Sequence, residues 1–131
     1  MEKREALDPN LVSDFVGNAH GDLNRVKELL AQEPALLNAA WDWGGGDWET
    51  GLGAASHMGR KDIALFLIEN GARTDIFSAA MLGQLDTVQS ILTAYPHLLH
   101  SKGPHGISLI THAQAGGEEA SAVLHYLETL S

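Results

Sequence analysis

Four glycines, Gly21, Gly59, Gly83 and Gly117, each end a run of small residues and precede a run of apolar residues at helical spacing, and this recurrence restricts the fold more than any other feature of the 131-residue chain. The clearest copies are Ala54-Ala55-Ser56-His57-Met58-Gly59, followed by Asp62-Ile63 and Phe66-Leu67-Ile68, and Ala79-Ala80-Met81-Leu82-Gly83, followed by Asp86, Val88 and Ile91-Leu92. Gly17-Asn18-Ala19-His20-Gly21-Asp22 and Ala113-Gln114-Ala115-Gly116-Gly117 are weaker copies, each with its own apolar run behind it. The glycine intervals are 38, 24 and 34 residues. Glu33-Pro34-Ala35-Leu36-Leu37-Asn38 returns as Tyr95-Pro96-His97-Leu98-Leu99-His100, 62 residues later, which is also the separation of Gly21 and Gly83.

Each unit reads as two short helices. The first is thin, built from small residues, and ends at a glycine free to take the left-handed conformation of a helix C-terminus. The second carries a stripe (Val26, Leu29, Leu30; Val88, Ile91, Leu92) that must face a core. Asp22, Asp62, Asp86 and Glu118 fall at or near the start of these second helices, where an acid caps free amides. Pro34 and Pro96 end two of them, and Asn70-Gly71 a third. Helices this short bury an apolar face only by stacking, so the expected class is all-α, a solenoid of paired antiparallel helices with short β-turn or loop fingers.

The chain resembles an ankyrin repeat protein, whose unit of about 33 residues carries a Thr-Pro-Leu-His-x-Ala phrase. Gly106-Ile107-Ser108-Leu109-Ile110-Thr111-His112-Ala113 is similar to it with Ser for Thr and Leu for Pro. Thr50-Gly51-Leu52-Gly53-Ala54-Ala55 and Thr74-Asp75-Ile76-Phe77-Ser78-Ala79-Ala80 are further degenerate copies. The resemblance implies an extension over 1–10 and one domain over 11–131, with units near 11–38, 39–73, 74–103 and 104–131. The 24-residue interval leaves unit three without a finger, and the 38-residue interval enlarges that of unit two. The resemblance also turns the position two residues before the glycine, held by His57 and Met81, toward a concave binding face.

The enlarged finger, Ala39 to Thr50, holds all three tryptophans, Trp41, Trp43 and Trp48, among Asp42, Asp47, Glu49 and a Gly-Gly-Gly tract. Aromatic anchors beside polar groups are the composition of binding hot spots, and tryptophans folded back over the gap beside unit three are the structural alternative. The glycines lack the Lys-Ser/Thr of a phosphate loop.

Composition excludes several classes. Seventeen acids against eight bases give a net charge of −9, unsuited to nucleic acid. No cysteine is present for disulfides, thiolate metal sites or nucleophiles. No apolar run reaches the roughly 20 residues that span a bilayer, and no secretory leader is expected, so a cytoplasmic location is. His97, His100, His105 and His112 crowd together and with Asp47 offer zinc donors. No pair has the His-x3-His spacing that puts two imidazoles on one helical face, so no metal, cofactor or catalytic residue is expected.

The leading expectation is a protein-interaction module, not an enzyme, binding a partner with a basic surface through Trp41, Asp42, Trp43, Asp47, Trp48, Glu49, His57, Met81 and His105. The alternative is a small-ligand-binding protein or enzyme. Its site would lie between the finger and the turn of unit four, with Trp41, Trp48, Asp47, His57 and His105 converging on it. Val123, Leu124, Leu127 and Leu130 on the last helix leave monomer and weak homodimer open.

Overall fold

A computed structural model describes residues 3–131; the first two residues of the expected extension lie outside it. Among the described residues eight α-helices follow in pairs: α1 (Pro9–Asn18) and α2 (Leu23–Gln32), α3 (Gly51–His57) and α4 (Lys61–Glu69), α5 (Ile76–Met81) and α6 (Leu85–Ala94), α7 (Leu109–Ala115) and α8 (Ser121–Leu130). Two strands, β1 (Ala40–Asp42) and β2 (Trp48–Thr50), form an antiparallel hairpin before α3. None of the helices is long and apolar enough to cross a membrane.

Local chemistry sets these boundaries. Pro9 opens α1 from an Asp8 cap, two residues earlier than the expected unit boundary. The Asp22 carboxylate accepts the Arg25 amide at the start of α2. Asp75 and Ser78 cap each other's amides at α5. Pro34 and Pro96 follow α2 and α6 and begin 3-10 turns. Gly59, Gly83 and Gly117 take φ of 66°, 76° and 66°. Gly21 is absent from the left-handed set; there the imidazole Nδ1 of His20 reaches the carbonyls of Val16 and Gly17 at 3.1 and 3.0 Å and ties off the end of α1.

The core has two parts. Phe15, Leu29, Leu36, Leu52, Ile63 and Leu67 fill the first, which Met81 of α5 joins; Val88, Leu92, Leu109, Val123 and Leu127 fill the second. Met81 is fully buried, which corrects its expected place on a binding face: its side chain packs into the first core. Val123 and Leu127 of α8 are buried as well, leaving Leu130 exposed. The connection from α4 to α5 contains no strand, whereas the hairpin fills the connection before α3. Over the short connection, the turn at Gly103–Ile107 comes to lie against the hairpin of the second helix pair.

His112 of α7 is enclosed, its Nδ1–H donating to the Ser108 carbonyl at 2.8 Å and its ring 4.8 Å from that of Phe77. Burial holds its pKa below the ordinary histidine value, outweighing the Ser108 contact. The unfolded chain therefore takes up a proton here at a pH where the folded chain does not. The stability tied to the neutral ring is present above the unfolded pKa, near 6.5, and is lost as pH falls toward the folded value. In chemical denaturation with chelator present, wild type is expected to lose more stability than His112→Gln between pH 7.5 and 5.5; parallel losses would refute this.

Candidate metal centre

The centre is assembled from four separate elements. Strand alternation turns Trp41, paired across the hairpin with Glu49, and Glu49 itself to one face, and Asp42 and Trp48 to the other. Trp43 and Asp47 continue the first face into the turn, joined by the Trp43 amide and the Asp47 carbonyl at 3.0 Å. Gly44, Gly45 and Gly46 all have positive φ, and the Asp42 carboxylate accepts the Gly44 and Gly46 amides at 2.8 and 2.9 Å. The glycine tract and Asp42 are thus the means of turning the chain tightly enough to aim Trp43, Asp47 and Glu49 together.

Glu49 is the floor of the centre, fully buried. Its Oε1 accepts the Trp43 indole N–H at 2.9 Å. Three imidazoles converge on it: His20 Nε2 lies 3.1 Å from Oε1, and His57 Nε2 and His105 Nε2 lie 3.0 and 3.2 Å from Oε2. His20 follows α1, His57 ends α3, and His105 sits in the turn before α7. Burial raises the pKa of Glu49, while the His57 and His20 rings when they carry an Nε2 proton, the Trp43 N–H and a protonated His105 lower it, and together these hold the carboxyl below its ordinary value.

His105 has φ 60° and ψ 20°, a left-handed conformation costing a non-glycine residue about 1–2 kcal/mol. Asp47 offsets that cost by accepting the His105 amide and its Nδ1, both at 2.7 Å. The backbone amide is the main reason the Asp47 carboxyl lies below the ordinary carboxylate range, against partial desolvation.

The proton positions carry the chemistry. Carbonyls and carboxylates only accept, so His20 Nδ1, facing two carbonyls, and His105 Nδ1, facing Asp47, each carry the hydrogen. In the neutral ring Nε2 then bears a lone pair, and both lone pairs point at carboxylate oxygens. None of the three imidazoles makes an aligned hydrogen bond to Glu49, and Glu49 Oε2 and His57 Nε2 are buried atoms without a hydrogen-bond partner among the described residues. Each of the four residues offers a donor atom, and these atoms all lie within 4.8 Å of one another. Two donors each about 2.1 Å from one ion stand about 3.0 Å apart at right angles and about 3.4 Å apart in a tetrahedron. A cation among them accepts one lone pair from each of the four residues; three adjacent imidazolium rings would instead repel one another.

Of the residues the sequence singles out, Trp43, Asp47, Glu49, His57 and His105 come together. Trp41 packs against the first core, Asp42 is spent on the turn, and Met81 is buried. Trp48, 61% exposed, lines a groove with Phe77, Lys102 and Pro104 on the other side of the hairpin. Glu49, expected as part of an acidic finger surface, is instead buried, because strand alternation turns it inward. Of the donors weighed for zinc in the sequence, where no metal is expected, His97 and His100 lie in the 3-10 turn after α6 and His112 inside the second core, so only His105 and Asp47 belong to the centre. His20 is the member that sequence reasoning passed over; its one signal is its place beside Gly21 in the repeat phrase.

No known family model matches this chain, and no curated protein is similar to it in sequence.

Proposed function

We propose that this chain is a metal-ion-binding protein on an ankyrin-like solenoid, holding one divalent transition-metal ion with His20, Glu49, His57 and His105. The ankyrin-like reading is supported by the helix pairs, the left-handed glycines at 59, 83 and 117, and the hairpin finger before α3. The metal reading rests on one observation: a buried carboxylate meets three imidazole Nε2 atoms at 3.0–3.2 Å, and its Oε2 and His57 Nε2 are buried atoms without a hydrogen-bond partner among the described residues. Nitrogen and oxygen donors with no thiolate suit zinc, iron(II), manganese, cobalt or nickel. Asp47 serves from outside the coordination sphere, orienting His105 through its Nδ1. A second, compatible reading is partner binding through the exposed Trp48.

Chelator-stripped protein titrated with zinc is expected to bind one equivalent, read by calorimetry. Asp47→Asn should weaken binding about 10- to 100-fold, while Trp48→Ala should leave it unchanged. Absence of a saturable equivalent at micromolar zinc would end the metal reading.

A further inference from the structure

We infer that the metal centre has exchangeable coordination positions on its solvent side and takes a small, planar molecule that chelates through two oxygens. This rests on the metal reading above and adds to it what the ion is for. Four protein donors close a tetrahedral ion, as in structural zinc sites, and leave up to two positions on an ion that prefers six. Three observations favour the open arrangement. The first is spacing: His57 stands 3.0 Å from Glu49 Oε2, the right-angle separation, and His105 stands 3.2 Å from the same oxygen, midway to the tetrahedral one. The second is that the carboxylate is held to one donor oxygen, since Oε1 is engaged by the Trp43 indole.

The third is the shape of the rim. Glu49 and His57 form the enclosed side, while the His20 and His105 side chains are 26% and 33% exposed and Trp43 is 42% exposed. The ring centroids of His20, Trp43 and His105 make a nearly equilateral triangle with sides of 6.1, 6.1 and 6.3 Å. Positions left by the protein donors face this side, where an entering ligand meets the indole. A flat chelate fits both requirements: two oxygens for adjacent positions and a π face for Trp43. With Asp47 beside His105, a neutral or singly charged ligand such as a hydroxamate, an enediol or an α-keto acid is favoured over a multiply charged phosphate.

Cobalt(II) loaded into the stripped full chain separates the outcomes, with acetohydroxamate as the probe. Weak visible d–d bands, as five- or six-coordinate cobalt gives, shifting saturably with acetohydroxamate, are the expected result. Trp43→Phe and Trp43→Ala both free Glu49 Oε1, so the π face is read from the difference between them: in cobalt-loaded protein Trp43→Ala should hold the probe about 3- to 10-fold more weakly than Trp43→Phe. Intense tetrahedral bands indifferent to acetohydroxamate would overturn the open site and leave a structural metal centre. Cobalt that keeps its aqueous spectrum and is not retained by the protein on desalting would overturn the metal reading, and this inference with it.

Discussion

Glu49→Gln is expected to lower zinc affinity by at least about 100-fold, yet to leave the metal-free protein as stable as metal-free wild type or more so. The two halves of this expectation test different things. Loss of affinity follows from replacing an anionic donor at the floor of the site by a neutral amide. Retained apo stability follows from the proton positions: with Nδ1–H fixed on His20 and His105, each Nε2 lone pair opposes a carboxylate lone pair, and a glutamine –NH2 would donate where the carboxylate only accepts. If instead the cluster were three protonated imidazoles held by one carboxylate, removing the anion would leave their mutual repulsion uncompensated and lower the stability of the metal-free protein. Zinc at 100 times its dissociation constant should stabilise wild type by about 2.7 kcal/mol. That corresponds to a rise in Tm of roughly 10 °C for a domain of this size. Thermal melts of both proteins in chelator and in zinc decide the matter. A Glu49→Gln protein that melts far below wild type in chelator would show that the carboxylate holds imidazolium rings, and the metal centre would lose its main support.

The fold was legible where its causes are local. Glycines at helix ends, prolines after α2 and α6, and apolar residues at helical spacing each act within a few residues, so the eight helices could be drawn from the sequence. Gly21 shows the limit of that reading. It keeps the register, but the end of α1 is closed by the His20 imidazole, so the glycine never takes the left-handed conformation of its counterparts. The same substitution of a side chain for a glycine puts His20 Nε2 into the centre. Strand phase hid the rest. Which of three tryptophans faces the site depends on the register Trp41 to Glu49, and composition carries no register. The donors at positions 20, 49, 57 and 105 have no common spacing because they come from four elements. They meet because the short connection before α5 allows the turn at Gly103–Ile107 to reach the hairpin. The shortened interval between Gly59 and Gly83 was visible in the sequence; what it brings into contact was not.

The close approach of α5 and the turn after it to the segment between α7 and α8 sets the other large expected effect. A Cβ at Gly83 would run into the backbone carbonyl of Glu119, in the 3-10 turn before α8, and would also be held at φ 76°. A Cβ at Gly116 would meet the Met81 carbonyl at the end of α5, but the backbone there is ordinary right-handed, φ −72°. A Cβ at Gly45 would touch nothing within 4 Å and bears only the strain of φ 65°. The three alanine substitutions therefore separate two causes. Gly45→Ala should cost about 1–2 kcal/mol, from the left-handed conformation alone. Gly116→Ala should cost about 1–3 kcal/mol, from forcing two backbones apart. Gly83→Ala combines both on one residue and should cost about 3 kcal/mol or more, enough to unfold a large fraction of a marginally stable domain. Urea unfolding curves of the three variants give the order directly, and midpoints are comparable if the slopes agree. The predicted order is Gly83→Ala least stable. A Gly83→Ala protein no less stable than Gly45→Ala would mean that α5 and the turn at Gly117–Ala120 move apart without cost. Their contact would then be no part of what holds the helix pairs in register.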